Sequence, residues 1–142
     1  MKAGVLVDTS VWSLALRRDA VNDHAAVGEL RELVREMRAE IIGPIRQEVL
    51  SGIRSLPTFE VLRDHLKVFR DIDILTEDYE RAAAFYNICR AKGIQGSNTD
   101  FLICAVSERN GMPILTTDGD FDLYAQHLPI TLHQPRRRAE QR

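Results

Sequence analysis

Apolar residues fall along the chain in two rhythms: short β-branched runs, and longer stretches where they recur every three or four positions. Val5-Leu6-Val7 has no polar face, the pattern of a buried parallel strand, and runs straight into Asp8, Thr9 and Ser10. Val11, Trp12, Leu14, Ala15 and Leu16 predict a short helix capped by Thr9 or Ser10 and ending near Arg17-Arg18. A second helix, capped by Asn22 or Asp23, carries Ala26, Leu30, Leu33, Val34 and Met37 on one stripe, and Ile41-Ile42 predicts the next strand. Gly43-Pro44 breaks that strand and opens a helix with Ile45, Val49, Leu50, Ile53 and Leu56 on its apolar side, closed by Pro57. Positions 58–68 predict another helix, 72–75 a third strand, and 77–92 a helix capped by Thr76 with Gly93 at its exit. Residues 101–106 are apolar all round, as in a helix buried mid-domain. Pro113-Ile114-Leu115 predicts a fourth strand, 121–126 a short helix and Ile130-Thr131-Leu132 a fifth strand.

Strands alternating with helices predict an α/β fold: a three-layer α/β/α sandwich around a central, mostly parallel sheet of four to five strands. With 142 residues and 44% hydrophobic composition, one domain over 1–134 with one core is expected, followed by a polar, arginine-rich tail at 135–142 in which Arg136, Arg137 and Arg138 are mobile. A formal charge of -2 and a pI near 6.1 exclude a strongly basic surface, so any nucleic-acid contact must be local. Cys89 and Cys104 read as buried free thiols, and the four histidines are too scattered for a zinc site. The apolar run before Asp8 is too short for a signal peptide and no stretch approaches a membrane span, so a cytoplasmic protein is expected.

Asp8, Glu48, Asp100 and Asp118 change this picture, because each stands at an element end beside apolar sequence. Asp8 and Asp118 follow strands, Glu48 lies one turn into the helix after Pro44, and Asp100 opens the most buried helix. In a right-handed doubly wound sheet these ends share one edge, where such folds bind ligands. Each acid also has a local reading: Asp8 as a cap, Glu48 and Asp100 as partners of a helix dipole, and Asp118-Gly119 as turn chemistry. Those readings leave unexplained why all of them fall on one edge.

Carboxylates ~4 Å apart repel by ~4 kcal/mol per pair at an effective dielectric near 20, so such a cluster protonates or recruits cations. Oxygen-only ligands favour magnesium or manganese, and two such ions could promote phosphodiester hydrolysis by activated water. Thr9, Ser10, Thr116 and Thr117 flank the acids and could bind water or phosphate, or act only as caps. A calcium loop from Asp118 fails, since Leu123 and Pro129 occupy its glycine and glutamate positions. A receiver domain would want a late lysine, an aspartyl phosphatase would want an acid where Ser10 stands, and no phosphate-binding glycine fingerprint occurs.

Val5-Leu6-Val7-Asp8-Thr9-Ser10-Val11-Trp12, Glu48 after Pro44, Thr99-Asp100-Phe101-Leu102-Ile103-Cys104-Ala105 and Ile114-Leu115-Thr116-Thr117-Asp118-Gly119-Asp120-Phe121 together resemble the PIN-domain ribonucleases, and among them the VapC toxins. The resemblance implies a PIN-like fold and Mg²⁺-dependent endoribonuclease activity, Mn²⁺ being possible, in the toxin of a type II toxin–antitoxin system. It implies that Asp8 and Asp100 are most directly tied to metal, that Glu48 orients metal and water, and that Asp118 completes the site. A homodimer and a cognate antitoxin that blocks the acidic cleft are implied as well. Arg17, Arg18, Arg46 and Arg54 are the candidates to flank the edge and hold RNA, against a reading as solvated helix face. Two other readings stand beside the toxin: a non-catalytic PIN-like module binding RNA or protein, and a PIN nuclease of RNA processing or DNA repair outside any toxin pair.

Overall fold

A computed structural model describes residues 3–16 and 24–136. In chain order the elements are β1 (Val5–Val7), α1 (Thr9–Leu16), α2 (Ala25–Arg35), β2 (Ala39–Glu40), α3 (Gly43–Leu50), α4 (Leu56–Leu66), α5 (Thr76–Ala91), α6 (Asn98–Asn110), β3 (Ile114–Leu115) and α7 (Asp120–Ala125). The strands form one sheet in the order β2-β1-β3, parallel throughout, with Val5 opposite Ala39 and Val7 opposite Leu115. Val5, Leu6 and Val7 are all fully buried, and since successive strand residues point to opposite faces, the sheet is covered on both. The apolar run of the sequence thus becomes the central strand.

The sheet has three strands among the described residues, where four to five were expected. The expected strand at 72–75 contributes no bridge of its own; the residue before it, Asp71, makes a single parallel bridge to Ile41, and the segment at 130–132 makes one, Leu132 to Ile114. Pairing cannot spread on the first side because the chain leaves Ile42 directly into α3 at Gly43. On the second side β3 has only Ile114 to offer, its amide bonded to the Thr131 carbonyl and its carbonyl to the His133 amide, and Pro113 before it lacks an N–H.

Helix ends also differ from expectation. The helix after Pro44 stops at Leu50, Gly52 turns the chain with φ +84°, and Ser55 caps a new helix in which Pro57 occupies the first turn. Proline here starts a helix instead of closing one. His24 caps α2 by accepting the Ala26 N–H at 3.0 Å, while Asn22 and Asp23 lie outside the described residues. Met37 leaves α2 with φ 59° and is 91% exposed, so it does not belong to the buried stripe.

Thr76 does not cap α5 as expected: the helix begins at Thr76 with Leu75 at the cap position, and Asp78 accepts the Leu75 N–H at 2.9 Å, while α1 likewise begins at Thr9 itself. Residues 101–107 of α6 are all buried, and Cys89 and Cys104 are buried free thiols. Three polar clamps fix the helices. Arg109 donates to the buried Asp78 at 2.7 Å and to the Asp73 carbonyl, joining α6 to the start of α5. Arg46 donates to Asp71 and to the carbonyls of Leu66 and Phe69, closing the end of α4 over α3. Glu29 on α2 accepts from His133 at 2.6 Å and from Arg136 at 3.1 Å, and Arg136 also pairs with Glu36. Arg136 is therefore tied down where a loose tail was expected; Arg137 and Arg138 lie outside the described residues. No helix among the described residues is long and apolar enough to cross a membrane.

Candidate active site

Parallel neighbours deliver their carboxyl ends to the same edge, and β1 and β3 deliver Asp8 and the Thr116-Thr117-Asp118 turn there. The Asp8 amide donates to the Leu115 carbonyl at 2.9 Å, the last rung of that ladder. Trp12 in the first turns of α1 donates its indole N–H back to the Val7 carbonyl at 3.0 Å, so the helix leaves the strand at a fixed angle.

Asp8 is 5% exposed. Its Oδ2 accepts from the hydroxyls of Ser10 and Thr116, each at 2.8 Å. Each hydroxyl in turn accepts a backbone N–H, Ser10 from Thr117 at 3.1 Å and Thr116 from Asp118 at 3.0 Å. The two hydroxyls thus stitch the β3 turn to the Asp8 carboxylate, a use of Ser10 and Thr116 beyond simple capping. Asp118 completes the turn by accepting the Asp120 N–H at 2.9 Å, the local turn chemistry expected of an Asp-Gly pair.

Glu48 reaches the same edge from α3, where Thr9 donates to its Oε1 at 2.6 Å. Asp100, half-buried in the first turn of α6, accepts the Tyr124 hydroxyl on Oδ2 at 2.8 Å. Ser97 caps this helix through the Asp100 amide at 3.1 Å.

Charge separates these acids from ordinary caps. Burial pushes the Asp8 carboxyl above its usual range, although the hydroxyls of Ser10 and Thr116 and the amides of Ser10 and Thr9 pull the other way. Burial likewise raises Asp100, opposed by the Tyr124 hydroxyl and reinforced by the negative charges of Asp8 and Asp118. Asp100 is therefore close enough to Asp8 and to Asp118 to feel the charge of each. Glu48 is exposed and is linked to them through Thr9.

The donor set is carboxylate and hydroxyl oxygen, which fits a hard divalent cation, and the raised carboxyls are groups whose ionised form a cation would favour. The acids do not converge as a finished cage: among the described residues no three His, Cys, Asp or Glu side chains stand where they could together hold an ion. Each carboxylate is instead turned to its own hydroxyl or amide donor, and like charges keep apart.

Of the arginines expected to flank the edge, Arg17 and Arg18 lie outside the described residues. Arg46 is spent on its clamp to Asp71, Leu66 and Phe69, so it is a structural residue, whereas Arg54 is exposed. A cleft lined by Thr116, Thr117, Asp118, Asp122, His133 and Gln134 opens beside Asp118. Tyr124 is a site neighbour that sequence reasoning missed: its three-residue spacing from Phe121 marks only an apolar helix face, and nothing local reveals the contact with Asp100.

These shifts give a pH dependence with a defined sign. A carboxyl raised in the folded state stabilises fully below its unfolded value near 3.8 and does so less as pH climbs through its folded value. Asp78 behaves oppositely: burial raises it, but Arg109 and the Leu75 amide outweigh this and hold it low, so its stabilisation is present above 3.8 and lost as pH falls through its folded value. Thermal melts in chelator should therefore show Asp100→Asn gaining on the wild type as pH rises above about 4. A difference that shrinks with rising pH would contradict the assigned shifts.

The PIN-domain family model matches residues 5–126. Ribonuclease VapC11 of Mycobacterium tuberculosis is 36% identical over 128 residues, spanning 86% of this chain and 92% of its own. VapC ribonuclease Mb1587 of Mycobacterium bovis matches to the same extent, 36% over 86% and 92%. Among solved structures, FitAcB from Neisseria gonorrhoeae superimposes with a TM-score of 0.73 at 19% identity, covering 92% of this chain and 97% of that one. A toxin–antitoxin complex from Klebsiella pneumoniae gives 0.59 at 20% identity over 83% and 90%.

Proposed function

The chain belongs to the PIN-domain family and is a homologue of the VapC ribonucleases, and from that premise we propose that it is a Mg²⁺-dependent endoribonuclease, the toxin of a type II toxin–antitoxin pair. The observation that carries the reading is the buried Asp8 on the carboxyl edge of the sheet, together with an Asp100 that feels the charges of both Asp8 and Asp118.

In this reading Asp8 and Asp100 would hold the ion, Glu48 would orient metal and water from α3, and Asp118 would complete the set. An ion held there supplies Lewis-acid charge at the phosphodiester and lowers the pKa of water, with Mn²⁺ able to substitute for Mg²⁺. Ser10 and Thr116 keep the Asp8 carboxylate aimed at the edge, and their main-chain bonds lock the Asp118 turn to it. Thr9 holds Glu48 over the same edge. The cleft beside Asp118 gives RNA a path, and Arg54 is an exposed cation for the phosphate backbone.

The reading extends to one nuclease domain over 1–134 with an arginine-rich segment at 135–142, to a homodimer, to a cytoplasmic setting and to an antitoxin that covers the acidic edge. Relatives named as VapC ribonucleases, and the fold shared with a toxin–antitoxin complex, support it. A non-catalytic PIN-like module is the second reading, favoured by the separate hydrogen-bond partner that each acid already has.

The test is cleavage of cellular RNA by the purified protein, with the new 5′ ends sequenced. Cleavage at discrete sites with Mg²⁺ or Mn²⁺, lost in chelator and restored by adding back the ion, is expected. Cleavage that persists in chelator would refute the metal mechanism, and intact RNA with both ions would leave the binding module as the better reading.

A further inference from the structure

Asp100 is held by a contact from outside its own helix. Tyr124 on α7 is fully buried, its ring packed against Phe101 at 4.9 Å and Phe121 at 5.1 Å between centroids, and its hydroxyl is 2.8 Å from Asp100 Oδ2. The chain passes tightly over this hydroxyl at Gly96: a Cβ there would collide with the Tyr124 oxygen and approach Phe101 Cζ to 2.8 Å. Glycine is thus required by close approach. The hydroxyl also lies 3.5 Å from the Gln95 carbonyl, at the limit of a hydrogen bond, so Asp100 is its strong partner.

We infer that Tyr124, roofed by Gly96, is a positioning residue that fixes the rotation of the Asp100 carboxylate on the edge it shares with Asp8 and Asp118. A phenol suits the task because its two side-chain torsions are locked by packing and its single donor can reach only one carboxylate oxygen. Burial and the Asp100 charge both push the Tyr124 phenol up, which keeps it a donor throughout the neutral range. Groups that orient a metal-binding side chain in this way commonly contribute 10–100-fold to metal affinity.

The inference rests on the metal reading of Asp100, and the experiment separates the two. Mn²⁺ binding to the full chain is measured by calorimetry at pH 8 for the wild type, Asp100→Asn, Tyr124→Phe and Gly96→Ala, with melts in chelator alongside. Tyr124→Phe keeps the ring and loses only the donor, so its melting temperature should stay near that of the wild type while its Mn²⁺ dissociation constant rises about tenfold. RNA cleavage by this variant should fall at low Mn²⁺ and recover as Mn²⁺ is raised, with KM for RNA unchanged. Gly96→Ala, which crowds the hydroxyl without removing it, should move affinity in the same direction; if either variant loses its fold, the Mn²⁺ titration of the other decides the matter. Wild-type affinity, or tighter binding, in a folded Tyr124→Phe would overturn the positioning role while leaving the metal site intact. Absence of Mn²⁺ binding in the wild type, or binding unchanged in Asp100→Asn, would overturn the metal reading and the inference with it.

Discussion

Asp8→Asn is expected to lower RNA cleavage by on the order of a hundredfold or more at saturating Mg²⁺, in a protein that stays folded. The substitution removes a charge and almost no volume. Asparagine offers one acceptor oxygen where the carboxylate serves the hydroxyls of Ser10 and Thr116 and the amides of Thr9 and Ser10, so some hydrogen bonding is lost. Against that, the buried negative charge whose desolvation raises Asp8 is gone. The two effects oppose, and the melting temperature in chelator should stay within a few degrees of the wild type. Stabilisation by added Mg²⁺, visible as a rise in the wild-type melting temperature, should vanish in the variant. Single-turnover cleavage and melts with and without the ion check both halves. A folded variant that cleaves at the wild-type rate would remove Asp8 from the mechanism.

Glu29→Ala should do the reverse, costing about 2–4 kcal/mol of stability and sparing the chemistry. Glu29 is 3% exposed and is the shared acceptor for His133 and Arg136. Burial alone would raise its carboxyl, but hydrogen bonds from Arg136 and His133 outweigh this and hold it below the ordinary value of 4.5. Its stabilisation is accordingly present above 4.5 and lost as pH falls through the folded value. Removing the carboxylate leaves His133 without its acceptor and releases 133–136 from α2, while Arg136, 41% exposed in its side chain, recovers some hydration, which keeps the cost below that of a fully buried pair. Denaturant titration of Glu29→Ala at pH 7 measures the loss. Glu29 supplies no group to the acidic edge, so single-turnover cleavage by the folded fraction at saturating RNA and low temperature should continue, while KM for RNA rises because His133 and Gln134 line the cleft beside Asp118. A variant as stable as the wild type would show that Arg136 is not a fastening.

The contrast between these residues shows what the sequence could and could not disclose. Val5 to Ser10 is legible because a short apolar run ending in an acid has few other solutions in an α/β chain, and residues 101–106 because only a central helix tolerates apolar residues all round. The shared edge of Asp8, Asp100 and Asp118 follows from parallel topology. Glu29, by contrast, sits in a charged helix and reads as solvated, since its partners lie more than a hundred positions away in the chain. Arg46 reads as a solvated helix face or an RNA contact for the same reason: local sequence does not show that Leu66, Phe69 and Asp71 fold back onto it. Pro57 is ambiguous because proline both ends helices and begins them. Branched residues promise more strands than form, because the neighbouring strand has only one residue to pair with on each outer side.

The most direct measurement of the central claim is a crystal of the protein soaked in Mn²⁺, with the ion located by its anomalous scattering. A peak is expected on the carboxyl edge of the sheet, bound directly by Asp8 and Asp100, and its loss in Asp100→Asn crystals treated identically. A peak elsewhere on the molecule, or none at this edge at ion concentrations that support RNA cleavage, would contradict that claim.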